Sequence, residues 1–326
     1  MAFSYRMGTQ KDYELLVQFW CENSGWDMLD RNGWEQRFIN TPEGPSALAL
    51  GTDSQTGEIL SQFFFIPTAI TVGDKIVRGY RPFAPVIKES IRNQGTSALQ
   101  EMIQGMYLLA VATLGNTGGS LIHMLPDPRW IRVLQRWTFF QVSSMPHYSF
   151  PIPLGKPLAL PPSYSVEAIE VSDPRIDGLW DKARQTYGCM IARNRKTLSY
   201  KISHGDVKLM GISYESRLVG LFASMLKSKD KQWIILDLLS EDGAESLEMT
   251  LTAAVLFANE QYLSLPDDER SFNKVAVLAT PLMQPTLEKI GFSKEKYNYP
   301  VLIHLFDPTI SPEEVAPERW YFSAND

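Results

Sequence analysis

Cysteine is scarce in this chain of 326 residues: Cys21 and Cys189 are the whole complement. Two thiols so far apart support neither a disulfide framework nor a Cys-rich zinc site, and a reducing cytoplasm is the expected compartment. Histidine is nearly as sparse, with four residues and no His-x-x-x-His pair, so no metal is expected. The lack of a Gly-x-Ser-x-Gly elbow withdraws support from triad hydrolysis. Apolar runs such as "LLAVA" are far too short to span a bilayer, and the opening "MAFSYRMGTQKDY" lacks a basic segment followed by an apolar stretch. Neither membrane anchoring nor export is therefore expected. Positive charge is in deficit as well. A formal net charge of −6 disfavours broad capture of nucleic acid, while leaving room for one compact basic pocket for a phosphorylated ligand.

What is present is ordinary for a globular protein: 44% hydrophobic and 21% charged residues, which speaks against disordered and fibrous classes. The length exceeds what a single core usually serves, so two domains are expected. The proline-dense stretch "FPIPLGKPLALPPSYS" suits neither a helix interior nor a central strand. It places a linker at 153–164, between domains at 1–152 and 165–326.

Upstream of the linker, "FSYRMGT" reads as a strand and residues 10–24 as a helix with Leu15, Leu16, Phe19 and Trp20 on one face. "GWEQRFIN" gives a second helix, and "SALALGT" and "EILSQFFFIPTAITV" flank the turn "DSQTG" as a hairpin. "KIVRGYRPFAPVIKES" is a strand kinked by Pro82 and Pro85. After Gly95 comes a helix with Leu99, Met102, Ile103, Met106 and Leu109 at helical spacing, then the strand "GGSLIHML" and a helix in "PDPRWIRVLQRW". "TFFQV" and "YSFPI" close this half. The second half repeats the order. It runs through strand "VEAIEV", helix "RIDGLWDKARQTYG", a hairpin turning at Glu215-Ser216, strand "KQWIILDLL", helix "AESLEMTLTAAVLFANEQ", strand "KVAVLAT", helix "PLMQPTLEKIG" and strand "YPVLIHLF". The matching order indicates a duplicated α/β fold with separate cores.

One turn carries chemistry: Arg92-Asn93-Gln94-Gly95-Thr96-Ser97. A strand feeding a glycine turn that opens a helix leaves several amide N–H groups unpaired at the positive end of the helix dipole, which is an anion site. Arg92 would add a charge-assisted contact, Gly95 a close backbone approach, and Thr96 and Ser97 their hydroxyls. The pattern Arg-x-x-Gly-x-Ser is short, and its context gives it weight. With the kinked strand before it and the amphipathic helix and strand after it, the sequence resembles the GNAT superfamily of acyl-CoA-dependent N-acyltransferases, whose phosphate loop reads Arg/Gln-x-x-Gly-x-Gly/Ala. "RWTFF" and "LEKIGFSKE" match the helix-to-strand corners of the two halves. "LLSEDGAESLEMT" has no basic residue, so the second copy reads as degenerate, as in tandem GNAT proteins.

The resemblance implies a twisted, mostly antiparallel sheet flanked by helices in each half. It implies transfer of an acyl group, acetyl above all, from a CoA thioester by direct attack of an amine on a small molecule or peptide, in a monomer or homodimer. Val86, Ile87 and Lys88 would lie along the pantetheine arm, with an amide near Ile87 or Lys88 holding the oxyanion. Arg92, Asn93, Gln94, Gly95, Thr96 and Ser97 would hold the diphosphate, and Asp127 would stand near the cofactor unless it serves only as a helix cap. The family's frequent acid and base are absent: Ala84 and Pro85 stand near the place of a Glu, and Leu134 and Leu287 at the place of a Tyr. His123, Glu89 and Tyr80 are the catalytic candidates, with Tyr107 beside them. Each has a plain structural alternative, as a buried neutral histidine, a solvated carboxylate or core aromatics. "RNRKTLSYK" reads either as a solvated surface or as a landing site for an acidic substrate or carrier protein. Trp34 and Arg37 either shape an acceptor pocket or pack a helix. Acyl transfer from a carrier protein or a charged tRNA, and non-catalytic acyl-CoA binding, are the alternative functions. Gly95→Asp is the substitution this reading suggests for abolishing CoA binding.

Overall fold

Strand β1 (Phe3–Met7) leads into helices α1 (Tyr13–Asn23) and α2 (Arg31–Phe38). Asp30 caps α2, its Oδ1 accepting the Gly33 amide at 2.7 Å. The hairpin expected around "DSQTG" follows as β2 (Ala47–Asp53) and β3 (Ile59–Val72). Asp53 Oδ1 closes it by accepting the Gln55 and Thr56 amides at 2.8 and 2.9 Å. The structure is a computed structural model that describes the chain apart from residues 1, 27, 84, 128–133, 135–136, 204, 242 and 325. Most of the helix expected in "PDPRWIRVLQRW" lies outside the described residues, as does Ala84.

The first half continues through β4 (Lys75–Pro82), β5 (Val86–Ile87), the single turn α3 (Glu89–Arg92), α4 (Thr96–Asn116), β6 (Leu121–Met124) and β7 (Gln141–Pro151). Beyond it come β8 (Tyr164–Ala168), α5 (Arg175–Ala183), β9 (Cys189–Ile191), α6 (Arg195–Ile202), β10 (Lys208–Tyr214), β11 (Arg217–Lys227) and β12 (Gln232–Ser240). The chain ends with α7 (Ala244–Ser264), β13 (Lys274–Leu278), α8 (Gln284–Ile290), β14 (Ser293–Leu305) and β15 (Trp320–Tyr321).

Among the described residues these strands form one mostly antiparallel sheet, ordered β1-β2-β3-β4-β6-β14-β7-β13-β12-β11-β10-β8. Duplication is visible in two strand–helix–strand units of the same design. β4 and β6 pair in parallel across α4, and β12 and β13 do so across α7. The closing strands cross between halves: β14 lies between β6 and β7, while β7 pairs with β13.

This exchange revises the expectation of separate cores. One cluster under α4 and another under α1 and α2 belong almost wholly to the first half, and a third belongs mainly to the second. A fourth cluster joins Ile70 and Leu121 to Cys189, Val301, Ile303 and Trp320 from the other half. Residues 152–163 carry no helix or strand, and Leu154, Leu158 and Leu160 pack against the second half's core. On α1, Leu16, Phe19 and Trp20 are buried as expected, but Leu15 is 59% exposed. No helix among the described residues is long and apolar enough to cross a membrane.

Candidate functional site

β4 and β6 are in register only where Gly79 faces Leu121 and Tyr80 faces Ile122. Prolines 82 and 85 then carry the chain away from β6. The Phe83 amide donates to Phe64 O, and β5 pairs with β3 through Val86 and Ile87. Two parallel strands thus part into a wedge. In the β5–β3 ladder Lys88 donates its amide to Leu60 O at 2.9 Å. Antiparallel alternation therefore turns the Ile87 amide away from β3, toward the open side.

The turn after α3 is built for a helix start. Asn93 and Gln94 donate to Glu89 O and Ile91 O, and Gly95 adopts φ +98°, ψ 177°, a region open almost only to glycine. The amides of Gly95, Thr96, Ser97 and Ala98 donate to no acceptor among the described residues. A Cβ built on Gly95 meets nothing within 4 Å. These four donors stand at the positive end of a helix of 21 residues, where Gly95, Thr96 and Ser97 are exposed. The corresponding turn of the second half also enters its helix through a positive-φ glycine, Gly243. There Glu241 and Glu245 flank the turn, and Glu241 holds Lys182 and Arg217, so that copy is unsuited to an anion.

Between the parted strands and α4 lies a cavity of about 380 Å³. Its walls are Phe63, Phe83 and Pro85 on one side, Ile103 and Tyr107 from α4, and Met124, Leu125 and Asp127 beyond the end of β6. Leu134, Trp26, Arg81 and Asp326 complete it. Tyr107 is fully buried, and its hydroxyl lies 3.0 Å from Nδ1 of His304.

Of the residues expected at the cofactor, Val86 and Ile87 form β5 with Lys88 just after it, Arg92 closes α3, Asn93, Gln94 and Gly95 join α3 to α4, Thr96 and Ser97 open α4, and Asp127 lies at the cavity wall. Of the two amides expected near the thioester, that of Lys88 is occupied by Leu60 O, and the Lys88 ammonium pairs with Glu58. Arg92 is exposed, with one long contact of 3.5 Å from its Nη1 to Asn23 O.

The three catalytic candidates fall elsewhere. His123 is 1% exposed and on the other face of the sheet. There it meets Thr68 Oγ1 at 3.1 Å and the rings of Trp320 and Phe322. Burial pushes its pKa down to about 3, so the plain alternative of a buried neutral histidine fits and a base at the wedge does not. Tyr80 packs in the core under α4 and does not line the cavity. Glu89 is an exposed residue at the start of α3, also off the cavity.

Sequence reading singled out one "LIH" triplet and passed over the other. Leu121-Ile122-His123 and Leu302-Ile303-His304 run antiparallel, with His123 opposite Ile303 and His304 opposite Ile122. Residues directly opposite share a face, so the two histidines point to opposite sides. His304 is the one that meets α4. The basic segment "RNRKTLSYK" is split: Lys196 and Ser199 are exposed, whereas Arg193 is 0% exposed. Its Nε and Nη2 donate to Asp237 Oδ1 at 2.7 Å and Asp326 Oδ2 at 2.6 Å, and Lys201 pairs with both carboxylates. Among the described residues no group of three or more His, Cys, Asp or Glu side chains is placed to hold a metal ion.

No protein-family model matches the chain, and no curated protein matches its sequence significantly. Solved structures do match. A conserved protein of unknown function from Enterococcus faecalis V583, described as a probable N-acyltransferase, is 8% identical, with 94% of this chain and 73% of that one covered at a TM-score of 0.66. A GCN5-related N-acetyltransferase from Anabaena variabilis is 12% identical over 93% and 72% of the chains, with a TM-score of 0.65. Saccharomyces cerevisiae N-myristoyltransferase with bound myristoyl-CoA and inhibitors is 11% identical over 99% and 85%, with a TM-score of 0.54. At such identities the likeness is one of fold: this chain has the GNAT fold.

Proposed function

We propose that this chain is an N-acyltransferase that takes its acyl group from a CoA thioester and passes it to an amine. The observation that carries the reading is the row of four amides at Gly95–Ala98 with no acceptor among the described residues, at the head of a helix whose Ile103 and Tyr107 line the cavity. Along α4 the rise of 1.5 Å per residue puts Tyr107 about 16 Å from Thr96, a span suited to an extended pantetheine arm. The yeast neighbour with bound myristoyl-CoA supports a CoA thioester as donor.

In this reading the diphosphate sits on the four amides, with the Thr96 and Ser97 hydroxyls and the Arg92 guanidinium around it. The pantetheine arm runs past Ile87 and delivers the thioester to the cavity beside Asp127. An ammonium with a pKa near 10.4 has about one free amine in two thousand at neutral pH. Phe63, Phe83, Ile103, Met124 and Leu134 make the cavity wall apolar, which disfavours the charged form and favours the nucleophile. The amine attacks the thioester carbonyl, the oxyanion accepts from the Ile87 amide, and no covalent enzyme intermediate is required. The acceptor is a small-molecule or peptide amine.

Calorimetric titration of CoA into wild type and Ser97→Asp tests this. A carboxylate in the first turn is favourable to the helix, by about 0.3–1 kcal/mol, so the variant keeps its melting temperature or gains slightly. The same charge repels a diphosphate, so affinity drops at least about tenfold, or 1.4 kcal/mol. Unchanged affinity in the folded variant would remove the phosphate from this turn.

A further inference from the structure

We propose that the amine acceptor is an amino acid, and that a second cavity, adjoining the wedge cavity at Leu125 and Asp326, takes its carboxylate with Lys227 and His147. The inference rests on the acyl-transfer reading above and names the substrate class of that site. Its starting point is a space of about 130 Å³ that shares Leu125 and Asp326 with the wedge cavity. Strand register builds it. His147 on β7 stands opposite Leu278 on β13, and Ile234 on β12 lies level with Ala276, two residues before Leu278. Ile234 in turn faces Met225 on β11, two residues before Lys227, while Tyr299 on β14 faces Met145, two residues before His147. Opposed and alternate residues share a face, so His147, Lys227, Ile234, Leu278 and Tyr299 all project to one side. That side is turned from α7, whose cluster takes the alternating Val275 and Val277.

Two polar groups on this wall lack partners. His147 is 8% exposed, and its buried Nε2 has no hydrogen-bond partner, an uncommon state for a buried nitrogen. Burial lowers its pKa, so the ring is a neutral donor when its proton is on Nε2, the tautomer that a carboxylate requires. Lys227 stands at the exposed end of β11 and forms no ion pair among the described residues. The other charges felt at His147 are Lys274 and Glu295, which pair with each other at 2.7 Å, and Asp230, which does not line the cavity. Asp326, the carboxylate on the wall, is already engaged by Arg193 and Lys201. One unpaired cation calls for one negative charge, which suits a carboxylate better than a phosphate. Leu125, Ile234 and Leu278 lower the local polarity and strengthen such a pair. The space equals about four waters at liquid density, enough for a carboxylate and the carbon that bears it.

The test measures thiol release from whichever of acetyl-, octanoyl- and myristoyl-CoA wild type turns over, with two acceptor mixtures. One holds the common amino acids and the other their carboxamides, which keep the amine and the side chain and lose the charge. Wild type is expected to favour the acids at least about 30-fold in kcat/KM. Lys227→Met is expected to raise the acceptor KM for the acids at least about tenfold, leaving that for the carboxamides and the calorimetric affinity for CoA unchanged. Lys227→Arg is expected to keep the preference and His147→Phe to weaken it. Lys229→Met, on the turn beyond β11 and off the cavity, is expected to leave it unchanged. Turnover of carboxamides or simple primary amines as fast as of the acids, or a preference that survives Lys227→Met, would overturn the proposal while leaving acyl transfer intact. A loss with Lys229→Met as large as with Lys227→Met would assign the preference to general surface charge and overturn it likewise. Absence of thiol release from all three donors with any of these amines would instead overturn acyl transfer, and this inference with it.

Discussion

His123, His147 and His304 share one property at the scale of the single residue: burial penalises the imidazolium, lowering each pKa from 6.5, to about 3 for His123 and about 4 for His304. In the unfolded chain each takes up a proton near its ordinary value, while the native state does not. Their contribution is therefore complete above about pH 6.5 and is lost as the pH falls toward the native values. The slope approaches roughly 1.4 kcal/mol per pH unit for each histidine. Urea unfolding is expected to show midpoints that change little from these groups near pH 7.5 and fall steadily from about pH 6.5 to 5; a level or rising midpoint over that lower range would contradict three neutral buried imidazoles. Single residues were unevenly legible in the sequence. Gly95 was, because a turn that opens a helix asks for a residue tolerant of positive φ. Its value of +98° also makes Gly95→Asp a poor probe, since any side chain there is strained by about 1–3 kcal/mol. The choice between His123 and His304 was not legible, because it depends on strand direction rather than on the residue or its neighbours.

At the scale of the element, α4 was legible because its apolar residues recur at helical spacing and a glycine marks its start. It gathers the amides of Gly95–Ala98 at one end and Tyr107 three turns on. β14 was read as a strand, but its neighbours could not be, because hydrogen-bond partners across 150 residues leave no local trace. That placement has a consequence. β14 lies between β6 and β7, and β13 pairs with the other edge of β7, so residues 1–164 alone would leave one edge of β6 open and β7 without either neighbour. This fragment is expected to aggregate or to lack a cooperative unfolding transition. A soluble 1–164 fragment with a sharp melt would show that the first half folds without its exchanged strand.

At the scale of the whole molecule, duplication was visible as a repeated order of elements, and the exchange of strands that welds the copies together was not. The buried cluster of Arg193, Lys201, Asp237 and Asp326 has the same origin. It joins Arg193, just before α6, Lys201 on α6 and Asp237 within β12 to Asp326, a convergence that only the fold creates. Asp326 from that cluster also lines the wedge cavity, so the second half reaches the site both there and through His304. The asymmetry between the two glycine turns, open amides at Gly95 against carboxylates around Gly243, is why the proposed function puts the CoA thioester in the first half. The most direct test is a crystal structure of the protein with CoA bound. The account predicts diphosphate oxygens about 3 Å from the amides of Gly95–Ala98 and the sulfur in the cavity beside Tyr107. A diphosphate seated at Gly243 or elsewhere, with those four amides still facing solvent, would contradict it.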